Sequence, residues 1–449
     1  MAEVRIQGGT VVTSRKVGKA DVLLRDGRVV RVGSGIPGAK AFSARGVVVL
    51  PGVVDAHVHL ELPVGGTRSA DDFLTGTRAA AAGGVTTVVD FTVGAQDLSL
   101  PEAFTRRLDQ AQTAVVDFAF HAEMVGWTPD RAQEIAEVAR LGVGSFKFYT
   151  AYASSGRRTD LGTLRRAMEL IRDAGGVAMV HAESEELVDP HGGPYPWARP
   201  EVSEEVAIAE VGILARATGC PTYIAHISSA QGLAALRQAQ RQRAPVVGET
   251  CPHYLLLDED VFGRPDGHLF TVTPPLRKKT DQQALWQALA QKKLQAVGTD
   301  HCPFTRAQKD PYRGAPTKIP SGLPGVETLL VLLFSQGVAR GRLGLSDLAW
   351  LLGEGPARAF GLYPQKGSLR PGADADLVLL DPKASWTLHA QDLHMATDFS
   401  PYEGLRVQGR VVAVLSRGEW VYQDGELLAQ PGRGRFVPAR PPTLRVRQR

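Results

Sequence analysis

The pattern of hydrophobic and polar positions changes twice along the chain. Up to about residue 50, short apolar runs such as Asp21-Val22-Leu23-Leu24 are separated by glycine-containing turns such as Asp26-Gly27. Beyond Tyr363 the same pattern returns in Asp376-Leu377-Val378-Leu379-Leu380, Val407–Gly409 and Val411–Leu415. Such runs predict short β-strands. Because the first strands are too few to bury much surface alone, we expect residues 1–50 and 363–449 to pair in one β-sandwich domain.

Between these segments, apolar strands alternate with helical stretches. The eight strand candidates are Val48–Val54, Thr86–Phe91, Val116–Phe120, Ser145–Tyr149, Val177–Val180, Thr222–Ala225, Val246–Gly248 and Ala296–Gly298. The helix candidates between them are Asp71–Ala82, Glu102–Gln112, Asp130–Leu141, Leu161–Ala174, Glu201–Thr218, Gln231–Arg241 and Gln282–Lys292, and Gly325–Gly337 and Leu345–Leu352 follow as closing helices. Eight βα units in sequence predict an α/β protein with a (β/α)8 TIM-like barrel over residues 51–362.

Length and composition fit a large folded enzyme. The chain has 449 residues, more than one hydrophobic core usually serves, so a barrel with a second domain is expected. A hydrophobic content of 43% with 22% charged residues excludes a mainly disordered chain. Three scattered cysteines without a CxxC spacing fit a reducing cytosol. With no signal peptide and no long apolar run, we expect a cytoplasmic protein without a membrane partner.

The net charge does not indicate nucleic-acid binding. The formal charge is +4, but the segment from Arg433 to Arg449 holds six arginines and no acidic residue, so the rest of the chain carries −2. The main body therefore lacks the concentrated basic face that nucleic acids require. Prolines in the terminal segment favour a solvated or subunit-bracing arm.

Polar residues at the strand ends indicate a metal centre. His57 and His59 are one residue apart at the end of the first barrel strand, so they share a face at the spacing that one metal ion needs for two imidazoles. Further candidates stand on four other strands: Lys147, His181, His226 and Asp300. In a barrel the C-terminal strand ends meet on one face, and the joint placement of these residues predicts a site for divalent cations.

Lys147 carries the wrong charge for such a site. Two neighbouring cations need a bridging anion, and an ammonium group beside them is strongly disfavoured. Lys147 must therefore be neutral or chemically converted there. Addition of carbon dioxide to the neutral amine gives a carbamate, which is a bridging anion.

Motifs of a known family run along most of the chain. They are Asp55-Ala56-His57-Val58-His59-Leu60-Glu61-Leu62-Pro63, Ser69 to Ala80, Gly83 to Phe91, His181-Ala182-Glu183, Gly248 to Leu255, Thr273-Pro274-Pro275-Leu276-Arg277, Asp300-His301-Cys302-Pro303-Phe304, Lys366-Gly367-Ser368 and Asp376-Leu377-Val378. In these motifs, and up to about Val437, the chain resembles the cyclic amidohydrolases, and within them the dihydropyrimidinase and D-hydantoinase group.

The resemblance implies a binuclear metal centre, usually zinc. His57, His59 and Asp300 would bind one ion, His181 and His226 the other, and a carboxylated Lys147 would bridge them. It implies that a metal-bridging hydroxide opens the cyclic amide of a dihydropyrimidine or a 5-substituted hydantoin to give an N-carbamoyl amino acid. It further implies a homotetramer or homodimer.

The resemblance also assigns roles around the substrate. Asp300 would move the proton to the leaving nitrogen, and Tyr152 would steady the developing oxyanion. Thr273 and Ser321 match two substrate loops whose contacts run through backbone atoms. Both positions depart from the family pattern, which has Ser at 273 and Asn at 321. Ser184 also stands where Asn is common. These departures leave the reaction class as expected but make the substrate preference less certain to follow the family. The loops Glu61–Ser69 and Tyr149–Arg158 would line the pocket for the ring substituent.

Three alternatives remain. Dihydroorotase relatives carry an Arg directly after His-x-His, where this chain has Leu60. Allantoinase shares the metal ligands, although Leu62-Pro63 and Asp71-Asp72-Phe73 look more like the hydantoinase group. A dihydropyrimidinase-like scaffold protein would keep the fold but lose metal ligands, and here all six are present.

Overall fold

The described part of the first 51 residues forms five strands of a sheet that the chain completes only near its C-terminal end. The computed structural model describes residues 3–37, 40–189 and 195–444. The five strands are β1 (Glu3–Val12), β2 (Val17–Arg25), β3 (Arg28–Gly33), β4 (Lys40–Ser43) and β5 (Val48–Pro51). Strands β1, β2 and β3 pair antiparallel, as the glycine turns predict, whereas β4 and β5 pair parallel to β1.

The predicted strand Val48–Val54 is wrong as a single element. Strand β5 belongs to the terminal sheet, and a separate strand, β6 (Val53–Asp55), opens the barrel. The break falls at Gly52, where a Cβ atom would lie 2.1 Å from Oγ1 of Thr86 and 2.8 Å from Cβ of Asp376. Only glycine permits so close an approach between the two units.

Eight parallel strands confirm the predicted barrel. After β6 and the small hairpin of β7 (Pro63–Val64) and β8 (Thr67–Arg68), the barrel strands are β9 (Val85–Phe91), β10 (Asp117–Glu123), β11 (Ser145–Tyr149), β12 (Val177–His181), β13 (Thr222–Ile224), β14 (Val246–Thr250) and β15 (Ala296–Val297). Each is hydrogen-bonded in parallel to its neighbour in chain order. The seam between β6 and β15 is closed just beyond the strands, where the backbone N–H of His59 donates to the carbonyl of His301 at 2.7 Å.

The helices lie between the strands at or near the predicted places. They are α1 (Phe73–Ala82), α2 (Leu100–Gln110), α3 (Arg131–Arg140), α4 (Leu161–Asp173), α5 (Tyr195–Ala198), α6 (Glu201–Thr218), α7 (Ala230–Arg241), α8 (Pro252–Leu256), α9 (Lys279–Ala290), α10 (Arg306–Lys309), α11 (Leu329–Leu333), α12 (Leu345–Ala349) and α13 (Gly355–Ala359). The two closing helices are shorter than predicted because α11 and α12 each continue as a π-helical turn. Within the described ranges, no helix combines the length and apolarity that crossing a membrane requires.

The sheet is completed by β16 (Leu377–Thr387), β17 (Arg406–Ser416), β18 (Glu419–Gln423) and β19 (Glu426–Leu427). The predicted strands Val407–Gly409 and Val411–Leu415 are one strand, β17, because a register irregularity against β16 absorbs the interruption. Strand β16 joins the two halves by pairing antiparallel with β5. Its alternate residues face two ways, since Leu377 and Leu379 pack in a core within the sheet domain and Val378 and Leu380 pack in the barrel core. The structure therefore has a barrel and a separate sheet domain, as predicted; the exact boundaries at residues 50 and 363 stay a prediction.

The arginine-rich segment begins as part of the fold. Phe118 on β10 donates its N–H to the carbonyl of Arg435, and Val437 donates back to Phe118 at 2.8 Å. The Arg433 guanidinium donates to the carbonyls of Val115 and Ser416. The interpretation as a solvated arm is wrong for this described part, because these contacts tie the barrel to the sheet. Residues 445–449 lie outside the described residues.

Candidate active site

All nine residues proposed from the sequence for metal or substrate binding line one cavity of about 270 Å³. They are His57, His59, Lys147, Tyr152, His181, His226, Thr273, Asp300 and Ser321. The cavity lies at the C-terminal ends of the barrel strands, where parallel strands deliver side chains from different parts of the chain to one place.

His57, His59 and Asp300 form a compact group of donor atoms. Oδ1 of Asp300 lies 3.2 Å from Nε2 of His57 and 3.1 Å from Nε2 of His59, and one ligand atom from each residue lies within 4.8 Å of the others. Burial alone would raise the pKa of Asp300, but its polar surroundings hold the carboxyl pKa below its usual value. The carboxylate is therefore ionised.

The state of His57 shows why a cation fits this group. Its Nδ1 bonds to Glu249 at 2.5 Å, so Nε2 presents a lone pair to the cavity. Nε2 has no hydrogen-bond partner among the described residues, although it faces an ionised carboxylate oxygen. Ligand atoms around a tetrahedral zinc ion are spaced by roughly 3.3 Å. The observed separations match that spacing, and a cation would relieve the repulsion.

His181 and His226 form a second pair. Nε2 of His181 bonds to Glu183 at 2.7 Å, which leaves its Nδ1 to face Nε2 of His226 at 3.0 Å. Glu183 is fixed in turn by Arg199, whose Nη2 lies 2.6 Å from Oε2. Burial lowers the pKa of both histidines, which keeps them in the neutral form that binds metals. The two nitrogens again have the spacing of ligands to one ion.

Lys147 reaches the cavity from the middle of β11 without a charged partner. Its side chain is 1% exposed, and Nζ lies over the rings of Phe91 and Tyr149 at 5.2 and 5.4 Å from their centroids. In the part of the chain that the structure describes, Nζ makes no hydrogen bond or ion pair. Burial lowers the pKa of this amine to about 8, although nearby carboxylates oppose the change. A larger fraction of the amine is therefore neutral near pH 7 than for an exposed lysine.

No role was predicted for Glu249, although the structure places this buried residue against His57 and His226. Besides His57, its carboxylate accepts hydrogen bonds from Oη of Tyr223 at 2.7 Å and from the backbone N–H of His226 at 3.4 Å. Glu249 follows the apolar run Val246-Val247-Gly248, so it carried the same strand-end signal as the proposed ligands. One carboxylate thereby orients histidines of both donor groups.

Three of the nine residues have left-handed backbone. The φ angles are 73° for Tyr152, 37° for His226 and 50° for Asp300. Each costs roughly 1–3 kcal/mol for a residue other than glycine. Asp300 is supported by its neighbour Thr299, whose hydroxyl donates to Oδ2 of Asp55 at 2.5 Å and whose N–H donates to Oδ1 at 3.1 Å. The fold therefore holds these side chains in place at the expense of local strain.

The two proposed substrate loops meet at their side chains. Oγ1 of Thr273 lies 2.7 Å from Oγ of Ser321, and the hydroxyl of Tyr195 bonds to Thr273. Behind them, the buried Nζ of Lys309 donates to three carbonyls: Leu269 at 2.8 Å, Thr271 at 3.1 Å and Gly322 at 2.7 Å. Lys309 was not singled out from the sequence, since nothing local distinguishes it from a surface lysine.

Leu60, which distinguishes this chain from dihydroorotases, does not line the cavity. Its side chain is 1% exposed and packs in the barrel core, where a Cβ on Gly76 would lie 2.4 Å from its Cδ2. The carbonyl of Leu60 accepts a hydrogen bond from Arg107. The residue after His-x-His therefore has a packing role in this chain.

Comparison with known proteins gives a consistent result. The sequence matches the amidohydrolase family over residues 48–421. It is 40% identical to a D-hydantoinase of Streptomyces coelicolor, covering 96% of this chain and 97% of the relative, and 38% identical to a D-hydantoinase of Geobacillus stearothermophilus, covering 96% and 95%. The crystal structure of dihydropyrimidinase from Brevibacillus agri NCHU1002 is similar with a TM-score of 0.95 at 36% identity, covering 98% of this chain and 99% of that one.

Proposed function

The chain belongs to the amidohydrolase family and is a metal-dependent hydrolase of cyclic amides, and on that premise we propose that it opens the ring of 5-substituted hydantoins and dihydropyrimidines to give N-carbamoyl amino acids. Relatives named D-hydantoinase and dihydropyrimidinase match this chain over nearly its whole length. Water adds to the ring carbonyl and the bond from that carbon to the ring nitrogen breaks, which leaves a carboxylate and a terminal ureido group.

One observation carries the proposal: two groups of donor atoms converge at one cavity. His57, His59 and Asp300 would hold one ion. His181 and His226 would hold the second, which is the arrangement that a binuclear amidohydrolase requires. Two bound dications would lower the pKa of a water molecule and polarise the ring carbonyl.

We propose zinc as the metal and a carboxylated Lys147 as the group between the ions. The buried amine without a charged partner supports conversion to a carbamate, since a neutral amine reacts with carbon dioxide and an ammonium does not. Imidazole and carboxylate donors at about 3 Å from one another suit zinc.

The remaining roles fall to two residues on the cavity wall. Asp300 is ionised and next to His57, so it can accept a proton from the attacking water and deliver it to the leaving nitrogen. Burial raises the pKa of Tyr152, so its phenol stays protonated and can donate to the carbonyl oxygen as negative charge develops. The ring of Tyr152 lies 5.0 Å from that of His181, which places it beside the second donor group.

Backbone groups at Thr273 and Ser321 would bind the ring amides. The hydrogen bond between the two hydroxyls occupies both side chains, which leaves the main chain as the recognition surface of these loops. Thr273 in place of Ser and Ser321 in place of Asn therefore preserve the reaction and alter only the shape of the cavity wall.

We also propose that the chain assembles into a homotetramer or homodimer. Three large apolar side chains are exposed on α5 and α6: Trp197 at 78%, Ile213 at 52% and Val202 at 42%. Exposed apolar surface of this kind favours association with a second copy. Light scattering coupled to gel filtration measures the mass. The three cysteines are free and buried, which agrees with the proposed cytoplasmic location.

A turnover panel tests the function. Purified protein is loaded with zinc and assayed on hydantoin, dihydrouracil, allantoin and dihydroorotate, with ring opening followed by ultraviolet absorbance and the product identified by mass spectrometry. We expect hydrolysis of the first two. Turnover of allantoin or dihydroorotate alone would move the assignment to those enzymes, and no turnover of any substrate with two metals bound would overturn it.

A further inference from the structure

One wall of the active-site cavity carries a guanidinium group that neither the metal centre nor the substrate loops use. Arg157 lines the cavity together with Glu123, and its side chain is 26% exposed. It lies on the loop after β11, five residues beyond Tyr152. Its surroundings indicate which ring substituent this cavity accepts.

Glu123 fixes Arg157 by one edge only. Oε1 of Glu123 accepts from Nε of Arg157 at 3.0 Å and from Oη of Tyr149 at 2.9 Å, and Oε2 accepts from the backbone N–H of Gly94 at 2.8 Å. Both carboxylate oxygens therefore already have donors.

The outer edge of the guanidinium is left without an acceptor. Among residues 3–37, 40–189 and 195–444, neither terminal nitrogen of Arg157 makes a hydrogen bond; the one side-chain hydrogen bond there runs from Nε to Glu123. Glu123 is 1% exposed, whereas the Arg157 side chain is 26% exposed, and both residues line the cavity. The two terminal nitrogens form the planar fork that a carboxylate binds with two parallel hydrogen bonds.

The rest of the wall suits a short apolar stem. Leu62, Pro63 and Val64 line the same cavity from the hairpin that follows the first barrel strand. Arg199, the other arginine near Tyr152, is occupied by both oxygens of Glu183. Arg157 is thus the cation that remains available to a ligand on this side.

We propose that Arg157 selects hydantoins whose 5-substituent ends in a carboxylate after one or two methylene groups. The inference rests on the proposed hydantoinase activity and specifies its substrate class. Glu123 is a positioning residue, since it orients the guanidinium through Nε, whereas Arg157 touches the substrate. The products are N-carbamoyl derivatives of acidic amino acids.

The test compares three hydantoins of similar size on the metal-loaded enzyme. They carry 2-carboxyethyl, 2-carbamoylethyl and butyl groups at C5. We expect the carboxylate substrate to have a kcat/KM about 10- to 100-fold above that of the amide, because hydrogen bonds to charged groups are worth more than neutral ones. Equal values, or a preference for butyl, would overturn the proposal.

Two variants make the test specific. Arg157→Met should lower kcat/KM for the carboxylate substrate by about 10- to 100-fold and change the butyl substrate less than about 3-fold. Arg157→Lys should recover part of the loss, because it keeps the charge without the fork. The control is Arg106→Met, since this arginine is exposed on α2 and pairs with the exposed Glu102; it should leave all three substrates unchanged. An equal loss on all substrates in Arg157→Met would show a purely structural role.

The outcomes separate this inference from the proposed function. If unsubstituted hydantoin is not hydrolysed by the wild-type protein, the proposed function fails. If it is hydrolysed but the carboxylate has no advantage and Arg157→Met changes nothing, the function stands and the substrate class is wrong.

Discussion

Glu249 binds Nδ1 of His57 at 2.5 Å, although 192 residues separate the two in the sequence. The bond fixes which nitrogen of His57 carries the proton and turns the other toward Asp300. The same carboxylate also accepts from the backbone of His226, so it supports both donor groups.

Glu249→Gln should weaken metal binding by about 10- to 100-fold, because an amide is a poorer acceptor for the imidazole and can present its NH₂ group instead. Metal content after dialysis against a graded chelator measures the effect. Glu204→Gln is the matched control, since Glu204 is equally buried but accepts from Ser228 and Ser229 away from the cavity. Retention of both metals by Glu249→Gln would contradict the role given to this carboxylate.

Lys147→Ala should lose metal and activity together, because it removes the proposed bridging anion from between the ions. Adding a short carboxylic acid such as acetate or propionate should restore part of both. Elemental analysis and turnover are measured with and without the acid. A variant that keeps two metals per chain in the absence of acid would show that Lys147 does not bridge.

Lys309→Met should raise KM with little change in metal content. The substitution leaves the carbonyls of Leu269, Thr271 and Gly322 without their donor, so the two substrate loops lose their common anchor and the free energy of unfolding falls by about 2–4 kcal/mol. Steady-state kinetics and urea unfolding measure the two effects. Lys279→Met, at an exposed lysine paired with Asp260, serves as control. A stability loss with KM unchanged would mean that the loops keep their shape without Lys309.

Metal should be retained to unusually low pH. Burial lowers the pKa of His57 and His226 below 6.5, so both imidazoles remain neutral at pH values where free histidine takes up a proton. We expect constant metal content from pH 8 to pH 6.5 after dialysis and release only below that range. For the metal-free chain, the unfolded state binds more protons below pH 6.5, so stability falls as the pH drops. Half-loss of metal already at pH 6.5 would contradict this reasoning.

The positions of the proposed ligands could be predicted from the sequence because the end of an apolar run marks the end of a buried strand. Each of His57, His181, His226 and Asp300 comes directly after such a run, and a parallel barrel brings those ends together. Glu249 also stands at a strand end, but only the tertiary fold shows that His57 is its partner. Nothing in the sequence near Lys309 indicates the three carbonyls to which it donates.

Local pattern also failed where two units share one apolar run. Val48 to Asp55 is apolar almost throughout, and nothing in its periodicity shows that Gly52 divides it between the sheet and the barrel. The division depends on Thr86 and Asp376, which approach the glycine from both units. Conversely, the interruption at Gly409-Arg410 predicted two strands, but the structure has one strand, β17, because pairing with β16 continues on both sides of it.

The seam of the barrel has a consequence for how the protein folds. Its last backbone link runs from His59 to His301, beside Asp300, so the ring of strands cannot close without bringing ligands from the first and last strands together. A bound ion would then hold the first and last barrel strands together, and the metal-free chain would open first at this seam. Amide hydrogen exchange at His59 and His301 should accordingly slow on zinc addition, while exchange in β10, which carries no proposed ligand, should change less.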